Sequence, residues 1–234
     1  MVFAEAAGPQ VLMAHESEEV SGEMGSVLLH AGFSPLRAAN GCDAIKIIDA
    51  RRPVAAVLDV GLGDVMSFQV IEHVRGNEAL RGTKVVLVAS VFNSAAYKRR
   101  PKSLYGADDY VEQHHIPDLL PGKLGALLHV SAGRDDADID TRRAKIHDGE
   151  TRRDLSGEER VVALARSIVA DIALYNEAEV KAYRRTRQSE PLQRALDEGR
   201  RLLLEAGVGS VPAGSDPIRE AFAQLVAEME TRRR

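Results

Sequence analysis

Asp59 closes the apolar run Ala55-Ala56-Val57-Leu58 and opens into Val60-Gly61-Leu62-Gly63-Asp64. A carboxylate at the carboxyl end of a buried strand, followed by a glycine-containing loop, is predicted to stand exposed on a rigid mount. In open α/β sheets that edge is where ligands bind and chemistry occurs. Three histidines fall at the same edge: His15 after the first apolar run, and His114 and His115 after the last. Imidazoles in such loops can bond to backbone, act as protonated cations beside an anion, or join a carboxylate around a transition metal. Backbone bonding is the preferred of the three readings and the metal site the last. Glu16, next to His15, also suits the first turn of a helix, where the dipole favours an acid.

The elements that must position these groups are legible as alternating patterns. The runs 10–14, 53–58, 84–90 and 108–111, with a weaker one at 32–38, are Val-rich and continuous. Such runs suit a parallel sheet buried on both faces. Between them, apolar residues recur at helical spacing: Val20, Met24, Val27 and Leu28; Ala44, Ile45 and Ile48; Val70, Ile71 and Val74; Leu119, Leu124, Leu127 and Leu128. Gly32, Asn40-Gly41, Pro53, Gly76 and Gly106 separate the segments. The expectation is a five-stranded, doubly wound α/β domain over residues 1–131.

Residues 132–155 are dense in charge and poor in large apolar side chains, and read as a solvated linker. A helical domain is predicted for 156–234. Ser156-x-x-Glu159 forms a capping box ahead of the stripe Val161, Leu164, Ile168, Ile172 and Tyr175. Ser189 and Pro191 suit the start of another helix, followed by Leu192, Leu196, Leu202 and Leu203. Ser215-Asp216-Pro217 begins the last helix, with Ile218, Phe222, Leu225 and Met229 on one face.

Composition narrows the function classes. A hydrophobic content of 44% supports a core, yet aromatics make up only 4% and Trp is absent, so Val, Leu, Ile and Ala must fill it. The net charge of −4 gives no global attraction to nucleic acid or anionic membranes. The single cysteine, Cys42, excludes an intrachain disulfide and is read as a small buried hydrophobe. No stretch is apolar enough to span a membrane, and the start of the chain lacks the basic region of a signal peptide. A cytoplasmic location is expected. Basic clusters occur at Lys98-Arg99-Arg100-Pro101-Lys102, at Lys181, Arg184, Arg185 and Arg187, and at Arg232-Arg233-Arg234. A charge run is usually a solvated face, and nearby acids balance the second and third clusters, so DNA binding is not expected.

Three segments together, VLMAHES near the start, VLDVGLGDVMSFQVI in the middle and YGADDYV later, resemble the receiver domain of bacterial two-component response regulators over about residues 9–131. The resemblance implies a flavodoxin-like fold and phosphoryl transfer from a phosphohistidine or small phosphodonor to Asp59. It implies Mg²⁺ held by Asp59, the Gly61 carbonyl and Glu16, with His15 standing where the family has the first acid of a pair. It places the hydroxyl at Ser90 (Ala89 is the stricter match) and the switching aromatic at Tyr110. Gln113 stands at the usual lysine position, and His114 where the family has a proline after a cis bond. A trans peptide and a reshaped loop are expected there, since a non-proline cis bond costs about 2.5–4 kcal/mol. Gly63 replaces the loop proline, and Asp64 is kept. A neutral imidazole is a poor Mg²⁺ ligand, so His15 implies a weakened metal site. A protonated histidine could stand in for the absent lysine.

The resemblance implies a histidine kinase or other signalling protein as partner, with the face near residues 92–111 and its basic cluster as a docking surface. Any enzymatic activity would be limited to Mg²⁺-dependent self-phosphorylation and dephosphorylation at Asp59. Two readings follow: a response regulator switched at Asp59, or a phosphorylation-independent adaptor on the same fold. The helical domain resembles no family, and its apolar stripe could build a core or a homodimer.

Overall fold

The computed structural model describes residues 8–90, 101, 104–129, 156–207 and 214–231, and these form two compact units. The linker 132–155, the basic residues 98–100 and 102, and Arg232–Arg234 lie outside the described residues.

The described elements of the first unit are β1 (Gln10–Ala14), α1 (Glu18–His30), β2 (Ser34–Ala38), α2 (Gly41–Arg51), β3 (Ala55–Asp59), α3 (Ser67–Gly76), β4 (Lys84–Ala89), β5 (Asp109–Glu112) and α4 (Ile116–Leu128), strand and helix alternating up to β4. All strand pairs are parallel, in the order β2-β1-β3-β4-β5. This is the flavodoxin-like arrangement, whose order reverses between β1 and β3.

The side-chain period of a strand is two, so each central strand feeds both faces of the sheet. Val11, Met13, Ala55, Val57, Val86 and Val88 join one cluster with Met24 and Leu28 of α1 and Ile116, Leu120 and Leu124 of α4. Their strand neighbours Leu12, Leu58 and Leu87 are equally buried, as are Ala44 and Ile48 of α2 and Val70, Ile71 and Val74 of α3. Both faces are therefore covered, which explains the absence of polar alternation in the runs. One expected core residue moves: Leu119 is 45% exposed, and Leu120 beside it takes the inward position.

Asp64 fixes the loop after β3. Its Oδ1 accepts from the N–H of Gly41 at 2.8 Å and of Val65 at 2.7 Å, and Oδ2 accepts from Cys42 N at 3.3 Å. Asn40 Oδ1 accepts from Asp43 N at 2.8 Å. Three first-turn N–H groups of α2 are thus satisfied by two side chains, one of them from a distant loop. Burial pushes the Asp64 carboxyl up, but bonds from the Cys42 thiol and from the N–H groups of Val65, Gly41 and Cys42 hold it below its ordinary value. Cys42 itself is exposed, not buried as its residue type suggested. It is the second residue of α2 and turns toward Asp64 at the surface, and that hydrogen bond raises its pKa.

The second unit is helical: α5 (Gly157–Tyr175), α6 (Glu177–Thr186), α7 (Glu190–Glu205) and α8 (Pro217–Thr231). The capping box is present, with Ser156 N donating to Glu159 Oε2 at 2.9 Å and Glu159 N to Ser156 Oγ at 3.3 Å. Helix α5 is buried nearly all round its second half, from Ile168 to Leu174. A Cβ on Gly199 of α7 would lie 3.0 Å from Ile172 Cδ1 and 3.1 Å from Ile168 Cγ2, so glycine permits a close approach of α7 to α5. Ser189 precedes α7 without a side-chain cap bond, and Asp216 caps α8 by accepting from Arg219 N at 3.1 Å. Asp216 also receives Arg200, at 2.7 and 2.9 Å. Part of the basic patch on α6 is consumed internally: Arg184 donates to the Met229 carbonyl at 2.6 Å, and Arg187 pairs with Glu230 at 2.8 Å. No helix among the described residues is long and apolar enough to cross a membrane.

Candidate functional site

The carboxyl end of the sheet carries the candidate site because the register brings β1 and β3 together there. Ala14 pairs with Leu58, so the next residues, His15 and Asp59, emerge side by side. Asp59 is 5% exposed and His15 8%, which corrects the expectation of an exposed carboxylate. Asp59 Oδ1 accepts from the Gly61 N–H at 3.3 Å. Asp59 Oδ2 stands 3.8 Å from His15 Nε2.

The His15 ring is held by backbone, as the preferred reading of the loop histidines required. Its Nδ1 accepts from Ser17 N at 3.0 Å. In the neutral ring this acceptor role at Nδ1 leaves the proton on Nε2, the nitrogen that faces Asp59. The main chain is held as well: His15 N donates to the Ala38 carbonyl at 3.3 Å, and Ser21 Oγ donates to the His15 carbonyl at 3.2 Å. Ser17 caps α1 through Val20 N at 3.3 Å. One short segment thus ends a strand, starts a helix and fixes an imidazole against the acid.

Glu16 is half-buried and bends over the loop after β3, where a Cβ on Gly63 would overlap its carboxylate. A glycine in place of a proline at 63 is what admits it. The hard oxygens that could hold Mg²⁺ are those of Asp59, Glu16 and the Gly61 carbonyl. Two carboxylates and a carbonyl, completed by water, match the ion's usual donors. His15 supplies a nitrogen and adds nothing to that set.

The remaining expected residues sit on the β4–β5 side. Ser90 directly follows β4 and is half-buried. Tyr110 lies on β5 opposite Leu87 and is half-buried. Lys123 stands over its ring, 5.7 Å from the centroid, and pairs with Asp109 at 2.7 Å. Gln113 opens a 3-10 turn, Gln113–His115, between β5 and α4. No cis peptide bond occurs in the described chain, in keeping with the trans bond expected before His114. His114 and His115 in this turn pair with side-chain carboxylates: His114 with Glu112 at 3.3 Å and His115 with Asp118 at 3.7 Å.

Sequence reasoning did not find the anchoring role of Asp64, the overlap of Glu16 with the Gly63 position, or the participation of Glu112. The first had a local signal, an acid within a glycine loop. The other two depend on contacts between segments far apart in the chain.

No family model matches the chain, and no curated protein matches it. Solved structures do. A response regulator described as putative from Chloroflexus aurantiacus is 21% identical, covering 52% of this chain and 98% of that one, with a TM-score of 0.46. The chemotaxis response regulator CheY4 of Vibrio cholerae is 21% identical over 52% of this chain and 99% of its own, with a TM-score of 0.45. The response regulator TrrA of Thermotoga maritima, solved with Mg²⁺-BeF, is 21% identical over 51% of this chain and 98% of its own, with a TM-score of 0.44. These matches span about half of the chain. By its own strand order and flanking helices, the first unit has the flavodoxin-like fold found in response-regulator receiver domains.

Proposed function

We propose that this chain is a response-regulator-type signalling protein in which Asp59 is the phosphoacceptor and the helical unit is the output. The observation that carries this reading is Asp59 itself. It ends the central strand β3, and its carboxylate is oriented by the Gly61 N–H and faced by the His15 imidazole.

In the transfer step an Asp59 carboxylate oxygen attacks the phosphorus, the bond from phosphorus to the donor breaks, and an acyl phosphate forms. Mg²⁺, when bound by Asp59, Glu16 and the Gly61 carbonyl, would neutralise charge on the phosphoryl oxygens. His15 holds a proton at Nε2 beside the acid and offers an N–H dipole there, not the full positive charge that Gln113 also does not supply. Ser90 and Tyr110 are the residues through which the modified loop would shift a two-state element on the β4–β5 side. A histidine kinase or another signalling protein is the expected donor and partner, and the helical unit is the segment through which a homodimer would form.

The second reading is a phosphorylation-independent adaptor. It is favoured by the near-complete burial of Asp59 against an imidazole and by the neutral Gln113. Intact-mass analysis after incubation with acetyl phosphate and Mg²⁺, comparing wild type with Asp59→Asn, separates the two. A phosphoryl adduct in wild type alone supports the phosphoacceptor. No adduct with any divalent ion leaves the adaptor.

A further inference from the structure

A second group of ligating side chains converges outside the Asp59 site. Glu112, the last residue of β5, and His114 and His115 of the following turn offer one carboxylate oxygen and two ring nitrogens. These atoms all lie within 4.8 Å of one another. All three residues are half-buried, so the group is held by its surroundings yet open to an ion.

The backbone beneath them is fixed at both ends. Glu112 pairs in register with Ala89 of β4, and Ile116, fully buried, donates its N–H to the Gln113 carbonyl to close the turn. The two imidazoles lie against each other, with centroids 4.1 Å apart and planes inclined by 42°. Asp118 Oδ2 stands 3.7 Å from His115 Nδ1, an outer carboxylate beside a ligand ring, which is a recurrent support of metal-bound histidine.

The distances suit a small ion with nitrogen affinity. In a tetrahedral zinc site with bonds of about 2.0–2.2 Å, neighbouring donors lie roughly 3.3–3.5 Å apart. The edge between Glu112 Oε2 and His114 Nε2 already measures 3.3 Å. The remaining edges are at most 4.8 Å. Mg²⁺ and Ca²⁺ demand oxygen donors and are poorly served by two imidazoles. An ion pair between Glu112 and protonated His114 accounts for the 3.3 Å contact.

We propose that Glu112, His114 and His115 bind a Zn²⁺-class transition-metal ion through three protein ligands, with water in the fourth position. The site shares no residue with the phosphoacceptor group of Asp59, Glu16 and Gly61. Its effect would be to stiffen the turn between β5 and α4.

The test uses the full chain, stripped with EDTA. Zn²⁺ binding is followed by competition with a chromophoric chelator, and Co²⁺ substitution by its visible absorption. The expected result is one saturable equivalent with tetrahedral Co²⁺ bands. Glu112→Gln and His114→Ala each weaken affinity by roughly tenfold or more, while Asp59→Asn leaves it unchanged. Circular dichroism checks that the variants keep their helix content, and His115→Gln replaces any variant that does not fold. Absence of a saturable equivalent, or affinity that Glu112→Gln and the folded histidine variant leave unchanged, overturns the proposal. Loss on Asp59→Asn instead would place the ion at the other site, which also overturns it.

Discussion

His15 and Asp59 face each other across the ends of two adjacent parallel strands, with Nε2 3.8 Å from Oδ2 and both residues more than nine-tenths buried. The pairing is a consequence of register, because Ala14 and Leu58 are partners one residue earlier. A buried carboxylate needs a compensating neighbour. Here the neighbour is an imidazole held in one tautomer by the Ser17 N–H, whereas the Mg²⁺ chemistry of the resemblance calls for a second oxygen.

Replacing His15 by an acid is therefore expected to strengthen Mg²⁺ binding. His15→Asp supplies a hard oxygen beside Asp59 and removes the nitrogen. A Mg²⁺ titration followed by thermal unfolding checks it. A variant with the same or a weaker Mg²⁺ response than wild type contradicts the assignment of oxygens to this site.

Gln113→Lys is expected to raise the yield of the acetyl phosphate adduct, measured by intact mass at fixed time. A lysine at the start of the 3-10 turn would bring a cation to the edge where the phosphoryl charge develops. Unchanged yield would mean that the turn does not carry residue 113 to the reacting group.

Asp64 ties the β3–α3 loop to the start of α2. Asp64→Ala is expected to destabilise the first unit by about 0.5–2 kcal/mol, the usual cost of a lost helix cap. The sign of its pH dependence follows from its lowered pKa. A carboxyl with a depressed folded value stabilises above its unfolded value, near 4, and loses that contribution as pH falls through the folded value. The gap between wild type and Asp64→Ala in urea unfolding should hold steady from neutral pH to about 5 and close below about 4. A gap that widens in acid would refute this.

Two glycines should separate stability from metal binding. A Cβ on Gly41 would overlap the Val65 carbonyl, a backbone atom that cannot rotate away. Gly41→Ala is expected to cost about 1–3 kcal/mol, in the range of overpacking. A Cβ on Gly63 would overlap the tip of the flexible Glu16 side chain. Gly63→Ala should leave the melting temperature nearly unchanged and weaken the Mg²⁺ response by displacing that carboxylate. Equal melting losses in the two variants would show that Glu16 is not free to yield.

The alternation of apolar runs and helical stripes was enough, by itself, to determine the five strands, their parallel arrangement and the helical character of the second unit. Those features rest on local periodicity, which reports burial on one face or two. The capping box at Ser156 was legible for the same reason, since its partners lie within one turn. Three outcomes needed the folded chain. Cys42 was expected inside from its residue type, yet its place in the first turn of α2 exposes it beside Asp64. Leu119 fits a helical stripe but loses the inward position to Leu120. Asp59 was placed correctly at its strand end, while its burial follows from the His15 side chain one strand away. Periodicity describes a residue relative to its own element. Which side chain meets which, as with Glu16 over Gly63 or Glu112 beside two histidines, is set by register and loop closure between segments that the sequence keeps apart.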